Sequence, residues 1–438
     1  MRSDRRSFLL SGLFGSAWLG LRALATGLPM WLLSNPHAAL AAPPPAGCSA
    51  NPQYLFLLTS GGGDPLNANV PGMYADPGIY HPASPLMAPT PMSIGSTTIT
   101  AALPWTQLDP SILSRTCFLH HATYTNNHGD AAKVNRLMGA VQRQEMLVSL
   151  LAKHLAPCLN TVQVQPLVLS NDLVTYNGAV QPVLTPRALQ AVLASPTGPL
   201  AKLQSIRDAH LDQLNALFKQ SGTTAQRTIL DQYAISQTQA RSLSTQLLGD
   251  LSAIAGGTRA DLNIAASVLF KMNVSPVIVG TYSFGGDNHG DVGLTNETTQ
   301  TVASLQAVGD LVMRLKAHGL QDSVTIAMQN VFGRTLSIAS HSGNADGRNH
   351  NANHHCSVFI GSAFKSAVIG GVTLQTGGRD YRAQGINSTS GLGSDSADIP
   401  YEETLASVGK TLGVATGVSQ SVLDDQITKG KVITAALA

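Results

Sequence analysis

Short apolar runs alternate along the chain with stretches of helical periodicity. Tyr54–Leu58 is a continuous apolar run of strand length, closed at once by Ser60-Gly61-Gly62-Gly63-Asp64. An unbroken run of this kind predicts a strand buried on both faces. Cys117–His120, Val162–Leu169, Val274–Val279, Val324–Met328 and Ser357–Gly361 are further strand candidates. Between them, Ala131–Leu155, Leu262–Phe270, Thr301–His318 and Tyr401–Leu412 carry apolar residues at helical spacing. Residues 71–110, rich in Pro, Met, Ser and Thr, read as a long irregular excursion. Residues 199–251 show two helical faces broken at Ser221-Gly222-Thr223-Thr224, a helical hairpin insert that serves either as ordinary packing or as an interaction arm. Strands alternating with helices predict an α/β fold with a doubly wound, mostly parallel sheet flanked by helices.

The N-terminus lies outside this frame. Arg5-Arg6-Ser7-Phe8-Leu9-Leu10, an apolar segment and Ala39-Leu40-Ala41 form the pattern of a cleaved twin-arginine export signal over residues 1–41. Arg22 and Pro29 interrupt the apolar run, which argues against a membrane span. The expectation is a single domain over 42–438, periplasmic or extracellular, that meets a membrane only during export. Charged residues are 12% and the net charge is +2, which excludes a broadly basic nucleic-acid binder. Cys48, Cys117, Cys158 and Cys356 leave one or two disulfides open in an oxidising compartment. No Cys-x-x-Cys pair or dinucleotide fingerprint points to redox chemistry.

Chemistry-bearing residues gather in the predicted strand-end loops. These are Gly61–Asn67, His120–His121 with Asn126-Asn127-His128-Gly129-Asp130, and Gly285-Gly286-Asp287-Asn288-His289-Gly290-Asp291. The others are Asn330–Thr335, and Asp346–His350 with His354-His355. Ligands bind at the carboxyl ends of strands in such sheets. Aspartate and histidine together suit Zn²⁺, Mn²⁺, Mg²⁺ or Ca²⁺, and more histidine points toward zinc. Each loop alone reads as a turn, because Asp, Asn and Gly are turn formers.

Gly62-Gly63-Asp64-x-Leu66-Asn67, Asp287-x-His289, Phe332-Gly333-Arg334-Thr335 and Gly347-Arg348-Asn349-His350, behind a twin-arginine leader, resemble the exported family called domain of unknown function 1501. That family is grouped with the alkaline phosphatase and sulfatase clan. The resemblance spans about residues 52–415 and implies an alkaline-phosphatase-like architecture. It implies metal-ligand positions at Asp64, Asp287, His289 and His350, with His128 matching the histidine after the second strand.

The chain departs from relatives at three positions. Asn127 stands where Ser or Asp is common, Val331 where Glu is common, and Asn349 where Asp is common. Fewer anionic ligands weaken a divalent site. Asn127 cannot be an alkoxide nucleophile; Thr125 or Thr123 can. His354, His355 and His341 offer extra imidazoles, so His354 joins the candidate ligands. Arg334 either forks onto a phosphate or sulfate, or pairs with a carboxylate and backbone carbonyls. The expectation is a metal-dependent hydrolase of a small anionic ester, possible substrates including polymer-derived ones. The alternative is a catalytically degenerate binding or assembly protein with an exported protein partner.

Overall fold

In the computed structural model of the chain, residues 53–58, 62–135, 146–159, 161, 163–170, 173–193, 199–224, 227, 230–231, 234, 245–337 and 347–438 are described. The leader over 1–41, Cys48, His341 and Asp346 lie outside the described residues.

A 7-stranded sheet organises the domain. Its strands are β1 (Gln53–Leu58), β2 (Thr116–His121), β3 (Leu167–Val168), β4 (Val277–Thr281), β5 (Val324–Gln329), β6 (His355–Ile360) and β7 (Ala367–Ile369). They lie in the order β7-β2-β6-β5-β1-β4-β3. All neighbours pair parallel except β6, which runs antiparallel to both β2 and β5. The sheet is therefore mixed and mostly parallel.

Each face has its own core, as the pleat requires. Leu55 and Leu57 point to a cluster with Ala265, Val268 and Leu269 of α3 (Arg259–Lys271) and Leu305, Val308 and Leu311 of α4 (Thr295–Ala317). Tyr54, Phe56 and Leu58 point the other way, to Leu147, Leu151 and Leu155 of α1 (Leu147–Leu159) and Leu405, Val408 and Leu412 of α5 (Thr404–Ala415). α3 starts with a capping box of Thr258 and Asp261, which satisfies otherwise unpaired N–H groups.

Several boundaries differ from the sequence pattern. The excursion over 71–110 contains a hairpin, Pro89–Ile94 with Thr97–Ala102, turning at Gly95; its threonines favour a pleated strand. The Val274–Val279 run pairs from Val277 to Thr281, because Pro276 has no N–H to give a ladder. Among the described residues of the Val162–Leu169 run, Leu167–Val168 alone joins the sheet, with Val162 outside the described residues. The Ala131–Leu155 pattern becomes helices at Ala131–Asn135 and Leu147–Leu159, with 136–145 outside the described residues. The insert contains α2 (Pro199–Ser221) and a helix at Thr245–Ser252. Cys117 and Cys356 are buried free thiols, and Cys158 is disulfide-bonded. Among the described residues no helix is long and apolar enough to cross a membrane.

Candidate metal centre

Strands β1, β2, β4 and β5 are mutually parallel, so the loops that follow them leave from one edge of the sheet. The segment before β6 reaches the same edge because β6 is antiparallel. Two backbone bonds join the 285–291 loop to this segment: Gly347 N–H donates to His289 O and Arg348 N–H to Asn288 O, each at 3.2 Å. A Cβ at Gly347 would lie 1.7 Å from Asn288 O, so only glycine permits this approach.

Asp287, His289, His350 and His128 converge there. His289 Nε2 lies 3.1 Å from Asp287 Oδ1 and 2.9 Å from His350 Nε2. His350 Nε2 is 3.8 Å from Asp287 Oδ1, and His128 Nε2 is 3.6 Å from Asp287 Oδ2. One ligand atom each from His128, Asp287 and His350 fits within 4.8 Å. Phe332 stacks on His350 at 4.3 Å and meets His128 edge-on at 5.2 Å, walling one side. It can do so because Gly63, at φ +72°, carries no Cβ; one would fall 1.8 Å from the Phe332 ring.

The donor chemistry fits a cation. His350 Nδ1 is 2.6 Å from the carbonyl of Asn126. A carbonyl only accepts, so this nitrogen carries the proton and Nε2 presents a lone pair. His289 Nδ1 faces Asn349 Oδ1 at 3.0 Å, with the same consequence. Two lone pairs and a carboxylate oxygen thus face one another. Their separations bracket the ~3.3 Å edge of a tetrahedron with ~2.0 Å zinc–ligand bonds. Outer hydrogen bonds that fix an imidazole tautomer are the usual support of a metal-ligating histidine.

Electrostatics keep the groups in the ligating forms. Partial burial pushes the Asp287 carboxyl up, but the Arg334 hydrogen bond and charge outweigh it, so it lies below the usual carboxylate range. Burial pushes His350 down, the Asn126 carbonyl pulls it back, and Arg334 adds to the lowering; the imidazole is neutral at pH 7.

Arg334 faces inward, with its side chain fully buried. Nη2 donates to Asp287 Oδ1 at 2.7 Å, to Gly62 O at 2.5 Å and to Gly63 O at 3.0 Å. Nη1 lies 3.3 Å from His289 Nε2 and 3.4 Å from Arg348 O. Of the two roles open from sequence, these contacts are those of pairing with a carboxylate and backbone carbonyls.

The Arg334 backbone is held at both ends by Asn67. Its N–H donates to Asn67 Oδ1 at 2.8 Å, and Asn67 Nδ2 donates to Arg334 O at 2.9 Å. Asn67 Nδ2 also lies 3.1 Å from His354 Nδ1, which therefore accepts. His354 Nε2 then donates to His120 Nδ1 at 2.9 Å, and His120 Nε2 to Pro71 O at 2.9 Å. Both nitrogens of His354 are used in this buried chain, so His354 is removed from the candidate ligands. Burial holds His120 down at about 4 and His354 well below its ordinary value, so both are neutral. Replacing Asn67 by alanine is expected to cost about 3 kcal/mol in urea unfolding, since it strands the Arg334 N–H, the Arg334 carbonyl and His354 Nδ1 without partners.

Asp64 is also outside the cluster. It is fully buried, its Oδ2 accepts from Phe284 N–H at 2.8 Å, and its Oδ1 has no hydrogen-bond partner. Burial pushes its carboxyl up to about 8, against the Phe284 and Gly286 N–H groups and the Arg334 charge. Thr125 Oγ1 donates to Asp130 Oδ2 at 2.7 Å, and Asn127 Oδ1 accepts from Gly129 N–H at 3.0 Å. Asn127 thus caps the 3-10 turn that carries His128. Val331 is packed in the core.

Residue roles invisible in the sequence support the loops. Glu297 and Arg348 are a fully buried pair: Arg348 Nε to Glu297 Oε2 is 2.7 Å and Nη2 to Oε1 is 3.1 Å. Arg348 also donates to Thr335 O at 2.9 Å and Tyr80 O at 2.6 Å, and Asn288 Nδ2 donates to Glu297 at 3.1 Å. Glu297 sits in the first turn of α4, a position that sequence reads only as dipole-favoured acid. Asn67 belonged to a recognisable motif, but its two-sided grip on Arg334 needs a contact across 267 residues.

Fold and cluster together define an α/β protein with an aspartate–histidine centre at the strand-end edge. Residues 178–389 match the model of a family described as Protein of unknown function (DUF1501). That span contains Asp287, His289, Arg334 and His350, and supports the resemblance drawn from the motifs. No curated protein matches the chain.

Proposed function

We propose that the protein is an exported metal-dependent hydrolase of a small anionic ester, phosphate or sulfate, of the alkaline phosphatase-like type. The observation that carries this is the inward-facing set of Asp287 Oδ1, His289 Nε2 and His350 Nε2 at 2.9–3.8 Å from one another. Three protein ligands with an open side are the pattern of a catalytic rather than a structural zinc site. Mn²⁺ and Ca²⁺ are the other candidate ions.

A divalent ion held there supplies a Lewis acid for the ester oxygen. The chain's own groups do the rest. Asp287 provides the one anionic ligand, and Arg334 fixes its orientation. Asn349 and the Asn126 carbonyl hold the imidazoles in the ligating tautomer. His128, with its side chain 44% exposed beside Asp287, is a further imidazole within reach of the ion. Phe332 packs against the His350 and His128 rings and fixes their planes. The hydroxyl of Thr125 is turned to Asp130, so water is the nucleophile this geometry favours.

The Asp130-bonded Thr125 hydroxyl and the buried Arg334 also favour a second reading, a metal-binding protein without turnover. Elemental analysis of the mature protein, zinc titration and a panel of nitrophenyl phosphate, phosphodiester and sulfate esters separate the two. The hydrolase reading expects about one ion per chain, loss of the ion and of turnover in His350→Ala, and unchanged folding by circular dichroism. Bound ion with no ester cleaved supports the second reading, and no bound ion sinks both.

A further inference from the structure

The same cluster already contains a fixed positive charge, the Arg334 guanidinium. An imidazole nitrogen has a single lone pair, and His289 Nε2 has two claimants: the Arg334 Nη1 at 3.3 Å and whatever occupies the space shared with His350 Nε2. Asp287 Oδ1 is likewise taken by Arg334 Nη2 at 2.7 Å. A divalent ion on these atoms must displace the Nη1 bond and sit beside the positive charge of a guanidinium whose ion-paired carboxylate is Asp287.

The guanidinium has somewhere to go. Gly62 O, Gly63 O and Arg348 O already accept from it, so it can release the ligand atoms without leaving its pocket. Its Nε has no hydrogen-bond partner, leaving a donor free to be re-used on rotation. The Arg334 backbone does not follow, because Asn67 holds its N–H and its carbonyl.

We infer that Arg334 is a positioning residue that competes with a metal ion for the same ligand atoms: it organises Asp287 and His289, and loading is a guanidinium-for-cation exchange that lowers the site's affinity. The inference rests on the cation reading above and extends it to how occupancy is set. An arginine that only braced the loops would act oppositely, since its removal would scatter the ligands and weaken binding.

The test is zinc chloride titration by calorimetry, in a non-coordinating buffer, of the mature wild-type protein, Arg334→Met and Arg334→Lys. The expected result is at least tenfold tighter zinc binding in Arg334→Met and an affinity within about threefold of wild type in Arg334→Lys, which keeps the charge. Equal or weaker binding in Arg334→Met overturns the inference while leaving the metal site standing; no zinc binding by wild type or either variant removes the metal site itself. Should Arg334→Met fail to fold, ¹⁵N NMR of the wild-type arginine side chains decides. The Arg334 Nε–H resonance is expected to shift as zinc is added, and a resonance that stays fixed while zinc binds overturns the exchange.

Discussion

Replacing Glu297 by alanine is expected to destabilise the protein by about 3–5 kcal/mol, the range for removing one partner of a buried ion pair. Burial, with the Asp291 charge adding to it, pushes the Glu297 carboxyl up; the Arg348 charge and the hydrogen bonds from Arg348 and Asn288 oppose that. Without the carboxylate, Arg348 is left fully buried with only the carbonyls of Thr335 and Tyr80. The effect reaches the site because Arg348 is two residues from His350 and its N–H is bonded to Asn288 O. Urea unfolding measures the stability loss, and zinc titration of the folded fraction is expected to show weaker binding. The double variant Glu297→Met with Arg348→Met is expected to recover much of the loss, since an apolar pair has no stranded charge. A single variant within 1 kcal/mol of wild type would show that the pair is not load-carrying in the folded state.

The second large effect has the opposite sign. His355→Leu is expected to stabilise the protein, by about 2 kcal/mol at pH 7.5 and by more than about 3 kcal/mol at pH 5.5. His355 is fully buried and neither ring nitrogen has a hydrogen-bond partner. Burial, with the neighbouring His121 and His120, holds its pKa well below the ordinary histidine value. The unfolded chain therefore takes up a proton below about pH 6.5 that the folded chain refuses, so His355 contributes a loss of stability of up to about 1.4 kcal/mol per pH unit as pH falls. Leucine is of similar volume and removes both the stranded nitrogens and the proton linkage. Urea unfolding at the two pH values measures it, and a stability gain that does not grow on acidification contradicts the linkage. His121 is also held at about 4 by burial, but its Nε2 is bonded to Ser357 Oγ at 2.8 Å, so the same change there is not expected to stabilise.

Much of the scaffold was readable because it is written locally. The Tyr54–Leu58 run is a fully buried strand, since residues apolar on both sides of a pleat have no solvent face to offer. Thr301–His318 falls on α4 and its C-cap for the complementary reason: its apolar residues repeat at helical spacing, although the helix runs from Thr295 to Ala317. Boundaries slipped where a backbone donor is missing, as at Pro276, or where β-branched residues pair across a tight turn, as in the 89–102 hairpin.

The candidate ligands divided by how far their positions depend on distant contacts. Asp287 and His289 share one turn, and their loop is joined to 347–350 by backbone bonds that Gly347 permits. His354 has the same residue type and a similar loop setting, but its ring meets His120, whose strand pairs with β6 so that Cys356 faces His120. That register joins segments over 230 residues apart, and no local pattern encodes it. Asp64 follows the left-handed turn at Gly63 and meets the Phe284 N–H, so it is bonded to backbone instead of joining the cluster.

The sequence by itself determined the alternation of strands and helices, the apolar layers and the clustering of Asp, Asn, Gly and His where the chain turns, because each depends on neighbours a few residues away. Only the tertiary structure decided which histidines face each other, that Arg334 points inward to Asp287, and that Glu297 and Arg348 meet. Those outcomes depend on one antiparallel strand and on backbone bonds between loops remote in sequence, whose pairing is set by the packing of the whole sheet.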